Sequence, residues 1–243
     1  MLKKRSKIYI KISPERNEAV FSGISFEEFI NYLSSPIENI LLIKADYIGE
    51  KTRHNFEILE GRDSITKFAL EEDIYNYGDF CFVDYSVSDS IDKLSEQQIA
   101  ELLYMAHIRK PLAAPFFDSL QNRFAYLSHD DGFYCKLYNK DWKDTVIVLL
   151  NKIREHLETK CTSKLPLLSE TIIKELYNLA AEGLFIDLNE FTNNSEMVKV
   201  NLYLVGEYTN MDDFYNTAVK AVDNASLKAY LICSNNEWRI MCS

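Results

Sequence analysis

Two hydrophobic periods follow one another along this chain, and their order restricts the fold more than any other feature. "KIYIKI" sets Ile8, Ile10 and Ile12 against Lys7, Tyr9 and Lys11, the period of two that gives a strand one buried face. "SPERN" then reads as a turn and "EAVFSG" as a second short strand. From there the period changes. Phe26, Phe29, Ile30 and Leu33 recur at i, i+3, i+4 and i+7, one stripe of an amphipathic helix. Ser25 and Glu28 stand at the spacing of a capping box at its start, and "SSP" ends it.

The same two periods alternate down the rest of the chain. "NILLIKADYI" and "DFCFVDY" read as buried strands. Ser95 and Gln98 form a second capping-box pattern, opening a helix that buries Ile99, Leu102, Leu103 and Ala106 and ends at "RKP". "RFAYL" and "FYCKLYN" flank "SHDDG", where Asp-Gly is a tight-turn signal between two aromatic-rich strands. Asp141 can cap a long helix with Val146, Ile147, Leu150, Ile153 and Leu157 at helical spacing.

"TKCTSKLP" then carries no period at all and predicts a domain boundary around residues 159–167. Beyond it Ser169 caps a helix reaching Ala181, with Gly183 at the C′ position. "VKVNLYLVGEY" places Val198, Val200, Leu202 and Leu204 on one face of a strand. Asn210 caps a helix with Met211, Phe214, Tyr215, Ala218, Val219 and Val222 on one stripe. "LKAYLIC" and "EWRIMC", joined by "SNN", predict a hairpin with a primed turn. The expectation is an α+β protein of two small α+β units, their mostly antiparallel sheets packed by amphipathic helices. The N-terminal α+β domain would span residues 1–160. The C-terminal α+β domain would span 165–243 in the order helix, strand, helix, strand, strand.

Composition narrows the function classes. The 243 residues are 47% hydrophobic and 13% aromatic with 7 glycines and 5 prolines, enough apolar matter for a core and unlike a disordered chain. With 27 basic and 37 acidic residues the formal charge is −10, which argues against nucleic-acid binding through phosphate neutralisation. The basic cluster Lys3-Lys4-Arg5-Ser6-Lys7 runs into polar sequence rather than an apolar core, so no secretory signal is expected. No apolar run approaches the roughly 18–20 residues of a spanning helix, so no membrane insertion is expected. Five scattered cysteines without ligand spacing suit reduced, mostly buried thiols of the cytoplasm.

Three constellations carry chemical interest. In "SHDDG", His129, Asp130 and Asp131 are the candidate catalytic residues of a small-molecule or metal-dependent hydrolase. A His-Asp pair on a helix with further ligands would resemble phosphohydrolases of the HD type. Here the pair falls in a turn, and His54, His107, His129 and His156 form neither HxH, HxxxH nor HExxH spacing. No metal and no cofactor is therefore expected. GxSxG, P-loop and GxGxxG patterns are absent as well. His107 reads as a histidine at the end of a helix, and His156 as solvent-facing.

The second constellation is acidic. From Glu57 to Glu101 twelve Asp or Glu stand against three Lys or Arg, 3 − 12 = −9. Glu71, Glu72, Asp73, Asp79 and Asp84 are the candidate partner-binding residues. In "EEDIYNYGDFCFVDY" aromatics lie among the acids and could anchor a basic partner that the carboxylates steer inward, as in immunity proteins, antitoxins or nucleic-acid mimics. The third is "EWRIMCS", a candidate edge strand for self-association.

"YIKISPERNEAVFSGISFEEFINYL", "EDIYNYGDFCFVDY" and "PFFDSLQNRFAYLSHDDGFYCKLY" resemble a family of small cytoplasmic proteins from Gram-positive bacteria, itself without known activity. The resemblance covers roughly residues 7–145 and implies a bacterial cytoplasmic setting. It assigns no cofactor and no catalytic residue. The leading expectation is a non-enzymatic protein-binding or accessory protein with an acidic interaction face; the alternative is the hydrolase.

Overall fold

In a computed structural model the described residues are 6–44, 56–75, 80–86, 88–129, 134–161, 164–194, 197–208 and 228–242. They hold five helices and twelve strands, an α+β protein. Contacts divide the chain into two units that are discontinuous in sequence. Residues 1–14, 20–24 and 142–243 form unit 1, and residues 15–19 and 25–141 form unit 2. This differs from the linear division expected at 159–167. The first strand pairs on one side with residues 184–187, and the long helix after Asp141 belongs with the C-terminal residues.

Unit 2 contains strands β3 (Asn39–Lys44), β4 (Phe56–Glu60), β5 (Phe80–Asp84), β6 (Phe124–His129) and β7 (Tyr134–Asn139), with helices α1 (Phe26–Tyr32), α2 (Arg62–Tyr75) and α3 (Glu96–Ile108). Its sheet runs in the order β7-β6-β5-β3-β4 with antiparallel pairings. Both faces are apolar, because alternate residues of one strand feed two cores. Phe80, Phe82, Phe124 and Tyr126 share one face with Phe26, Phe29 and Phe68 of α1 and α2. Phe26 sits at the centre, 5.1–5.8 Å from the rings of Phe68, Phe80, Phe82 and Tyr126, separations at which ring quadrupoles attract. Leu41, Ile43, Cys81, Val83, Ala125 and Leu127 line the other face and meet Leu102, Met105 and Ala106 of α3.

Local sequence dictates where these helices begin. Ser25 accepts from Glu28 N while Glu28 accepts from Ser25 N; Ser95 and Gln98 do the same for α3. Each pair satisfies two backbone donors that a helix start leaves over.

Unit 1 contains β1 (Lys7–Ser13), the Val20–Ser22 part of β2 (Glu18–Ser22), β8 (Leu184–Asp187), β9 (Phe191–Asn193), β10 (Met197–Leu204), β11 (Lys228–Ser234) and β12 (Glu237–Cys242), with α4 (Trp142–Lys160) and α5 (Glu170–Ala181). Its strand order is β12-β11-β10-β8-β1-β2, with β9 also on β10. β1 pairs antiparallel with β8 in the register Lys7↔Asp187 to Ile10↔Leu184. β8 and β9 are additional to the expected helix, strand, helix, strand, strand order. "LFID" is four residues without alternation, and "FTN" is three, too short to display a period. The helix expected from Asn210 to Val222 lies outside the described residues.

β1 shows a second difference. Ile8, Ile10 and Ile12 are buried as their alternation requires, but so is Tyr9 on the opposite face. The Tyr9 hydroxyl donates to Gly206 O at 3.0 Å and accepts from Tyr208 N at 3.2 Å, so the strand is covered on both sides at that point. Lys11 Nζ donates to the Ala181 carbonyl at the end of α5, where the helix dipole favours a cation. Gly183 follows α5 with φ of 87°, and a Cβ there would stand 2.0 Å from Gly206 O. Glycine is required twice over, by conformation and by approach.

Candidate functional site

The strands expected on either side of "SHDDG" are formed and paired. β6 and β7 pair from Phe124↔Asn139 to His129↔Tyr134, and His129 is the last residue of β6. Its half-buried ring meets Tyr134 edge-on, with centroids 5.5 Å apart. Asp130 and Asp131 lie outside the described residues, as does Gly132. Among the described residues no group of three or more His, Cys, Asp or Glu is placed to hold a metal ion.

Asp84, a candidate for the acidic face, has a different place. It is 4% exposed at the end of β5. Its Oδ1 accepts from Arg123 N at 2.8 Å and Phe124 N at 2.6 Å, and its Oδ2 lies 3.4 Å from Arg123 Nε. The same guanidinium donates to Ser35 O at 3.2 Å and Pro36 O at 3.0 Å, and it stands over the Phe124 ring. Burial pushes the Asp84 carboxyl above its ordinary value, against the pull of the Phe124 and Arg123 donors. This carboxylate pins the start of β6 and is not available to a partner. In the sequence it is one acid among twelve; what distinguishes it is a backbone 39 residues further on.

The remaining acids divide by what the structure describes. Glu71 is exposed on α2, 3.9 Å from Lys67 one turn earlier. Asp79, and the side chains of Glu72 and Asp73, lie outside the described residues. Sequence reasoning did not single out Glu57 and Glu60 of β4 or Asp63 of α2, all exposed. α2 packs on β4, so these three carboxylates belong to adjoining elements of unit 2. On the same two elements Ile58 is 40% exposed, on the face of β4 that holds Phe56 and Glu60, and Leu70 of α2 is 41% exposed. The signal was present as "FEILEGRD", where β4 ends and α2 begins on one glycine.

Histidines and thiols complete the set of reactive side chains. His107 lies in the last turn of α3 and is exposed. His156 is half-buried in α4, not solvent-facing. Burial pushes its pKa below the ordinary value, with Lys152 and Lys160 adding to the effect, against a backbone hydrogen bond to Leu188. All five cysteines are free thiols, with Cys242 alone exposed. Burial drives Cys81 up to about 12, which removes it from thiolate chemistry. No helix among the described residues is long and apolar enough to cross a membrane.

Comparison with known proteins found no match of the chain to a family model, to a curated protein or to a solved structure.

Proposed function

We propose that this chain is a non-enzymatic binding or accessory protein of the bacterial cytoplasm, and that it engages a basic protein partner through the acidic surface of β4 and α2. The observation that carries the reading is the mixture on these two elements: β4 and α2 expose Glu57, Glu60, Asp63 and Glu71 and leave Ile58 and Leu70 partly in water. Carboxylates of this kind raise the encounter rate with a cationic surface, and apolar side chains among them supply area to bury on contact. Glu72 and Asp73 extend the same acidic sequence. The bacterial and cytoplasmic setting rests on the family resemblance and on five thiols without a disulfide.

The test is native mass spectrometry of the protein purified gently from its own cells, beside a variant carrying Glu71→Lys, Glu72→Lys and Asp73→Lys. The parent should retain a basic polypeptide that is released by added salt, and the variant should lose it while its circular dichroism is unchanged. Retention by the variant would refute the reading. So would a bound metal or small molecule that His129→Ala and Asp131→Ala remove, since that outcome belongs to the hydrolase.

A further inference from the structure

We propose that β12 is a homotypic docking edge: two copies of this chain pair their Trp238–Cys242 segments antiparallel across a two-fold axis at Ile240. The sheet of unit 1 would then continue from one molecule into the other. This goes beyond the acidic surface of unit 2 and shares no residue with it.

The hairpin itself fixes which backbone groups are free for such pairing. β11 and β12 pair from Ala229↔Cys242 to Ser234↔Glu237, closed by Asn235 and Asn236 at φ of 52° and 61°. Positive φ at both positions marks the type I′ turn, in which the flanking residues exchange both hydrogen bonds. Bonding to β11 therefore falls to Glu237, Arg239 and Met241. Trp238, Ile240 and Cys242 point their N–H and C=O groups the other way, where no strand pairs with β12 among the described residues.

That outward row is complementary to itself in one register above others. Aligning Trp238 with Cys242 of a second copy sets Ile240 opposite Ile240 and uses all three outward residues, each pair exchanging two bonds. Sliding by two residues in either direction gives up a pair, and one of those slips places Arg239 opposite Arg239. In the full register Arg239 faces Met241, and no like charges are opposed.

Side chains point to the same occupant. The core face of this sheet runs through Val198, Cys233 and Trp238, then Val200, Leu231 and Ile240, then Leu202, Ala229 and Cys242. Burial is complete or nearly so until the last strand, where Ile240 is half-buried and Cys242 exposed. The apolar face reaches the edge unfinished. Trp238 Nε1 donates to Pro166 O at 2.9 Å, and the next residue, Leu167, is 81% exposed; Met241 is 50% exposed. A second β12 supplies the same apolar row in reverse and extends the face across the axis. β12 has neither the proline nor the bulge that blunts many edges, and its charged residues, Glu237 and Arg239, meet no like charge in the full register.

Sedimentation of the full chain at about 100 μM tests this, read with hydrogen exchange. The parent should sediment at twice the 28.3 kDa chain mass, and the amides of Trp238, Ile240 and Cys242 should gain protection as concentration rises. Ile240→Pro removes an outward N–H while leaving the bonds to β11 in place. Ile240→Lys sets two cations face to face. Each should weaken the dimer at least tenfold with circular dichroism unchanged, and the Lys variant guards against a proline that unfolds the hairpin. A monomeric parent at this concentration would overturn the proposal, as would a dimer that the folded Ile240→Lys variant preserves. The charge reversal at Glu71, Glu72 and Asp73 leaves this dimer intact, so the two proposals fail separately.

Discussion

Each unit fastens a loop to its sheet, and the two do so by opposite means. Unit 2 uses a charge: Asp84 holds two backbone N–H groups at 2.8 and 2.6 Å and draws Arg123 across to Ser35 and Pro36. Unit 1 uses the lack of a side chain. Gly183 lets the Gly206 carbonyl come to where a Cβ would be, Val205 N donates to Gly183 O at 2.9 Å, and the neutral Tyr9 hydroxyl completes the tie. The first fastening depends on desolvated electrostatics, the second on space. They should therefore break under different perturbations.

The largest effect is expected in unit 1. Gly183→Ala forces a left-handed alanine and a backbone collision, and should cost about 4 kcal/mol or more by urea unfolding. If it costs under about 1 kcal/mol, unit 1 is not held by close approach. Asp84→Ala strands the buried Phe124 N–H, the half-buried Arg123 N–H and a guanidinium, and should cost about 3 kcal/mol. Next is Tyr9→Phe, which leaves the ring and removes one hydroxyl; about 1–2 kcal/mol is expected, with faster exchange at the Tyr208 amide.

pH sharpens the contrast. In unit 2 the Tyr85 and Tyr138 hydroxyls donate to Glu60 and Glu18 at 3.4 and 2.8 Å, and burial followed by those carboxylates pushes both phenols up. Phenols raised in the fold contribute stability that is whole below about pH 10, the unfolded value, and is lost as pH climbs beyond it. In unit 1 the lowered pKa of His156 has the reverse sign. Its contribution is whole above about pH 6.5 and is lost as pH falls. Thermal midpoints across pH should bend at both ends. Tyr138→Phe should flatten the alkaline limb and His156→Gln the acid limb. The smallest effect tests the caps: Ser95→Ala should lower stability by about 1 kcal/mol, with exchange quickened only in the first turn of α3.

What could be read in the sequence was what neighbours in the chain decide. The Ser25–Glu28 and Ser95–Gln98 boxes act over three residues, and the Asn235-Asn236 turn over two. The stripes of α1, α3 and α4 follow from periodicity alone. What escaped the reading depends on partners far away. Tyr9 was assigned to an open face because its cover comes from residues 206 and 208. Asp84 was assigned to the surface because its donors come from β6. β8 has too few residues to show a period, and only β1 and β10 make it a strand. For the candidate site, the flanking periods mark the strands around the loop, while Glu57 and Glu60 of β4 count in the acidic stretch without standing out beside the denser run at Glu71.

The pairing of β1 with β8 also sets an order of events during synthesis. Residues 25–141 of unit 2 are contiguous and, but for the five residues 15–19 just before them, complete that unit. They have all left the ribosome while residues 184–187 are still unmade. β1, made before all of them, can by then join only β2, its neighbour on one side; its other edge stays open, and its buried row of Ile8, Tyr9 and Ile10 must wait until residues 184–187 are made. Unit 2 is thus the part fit to fold on the nascent chain. Unit 1 closes late, and its oldest strand is the one that spends longest exposed to chaperones and to misassociation.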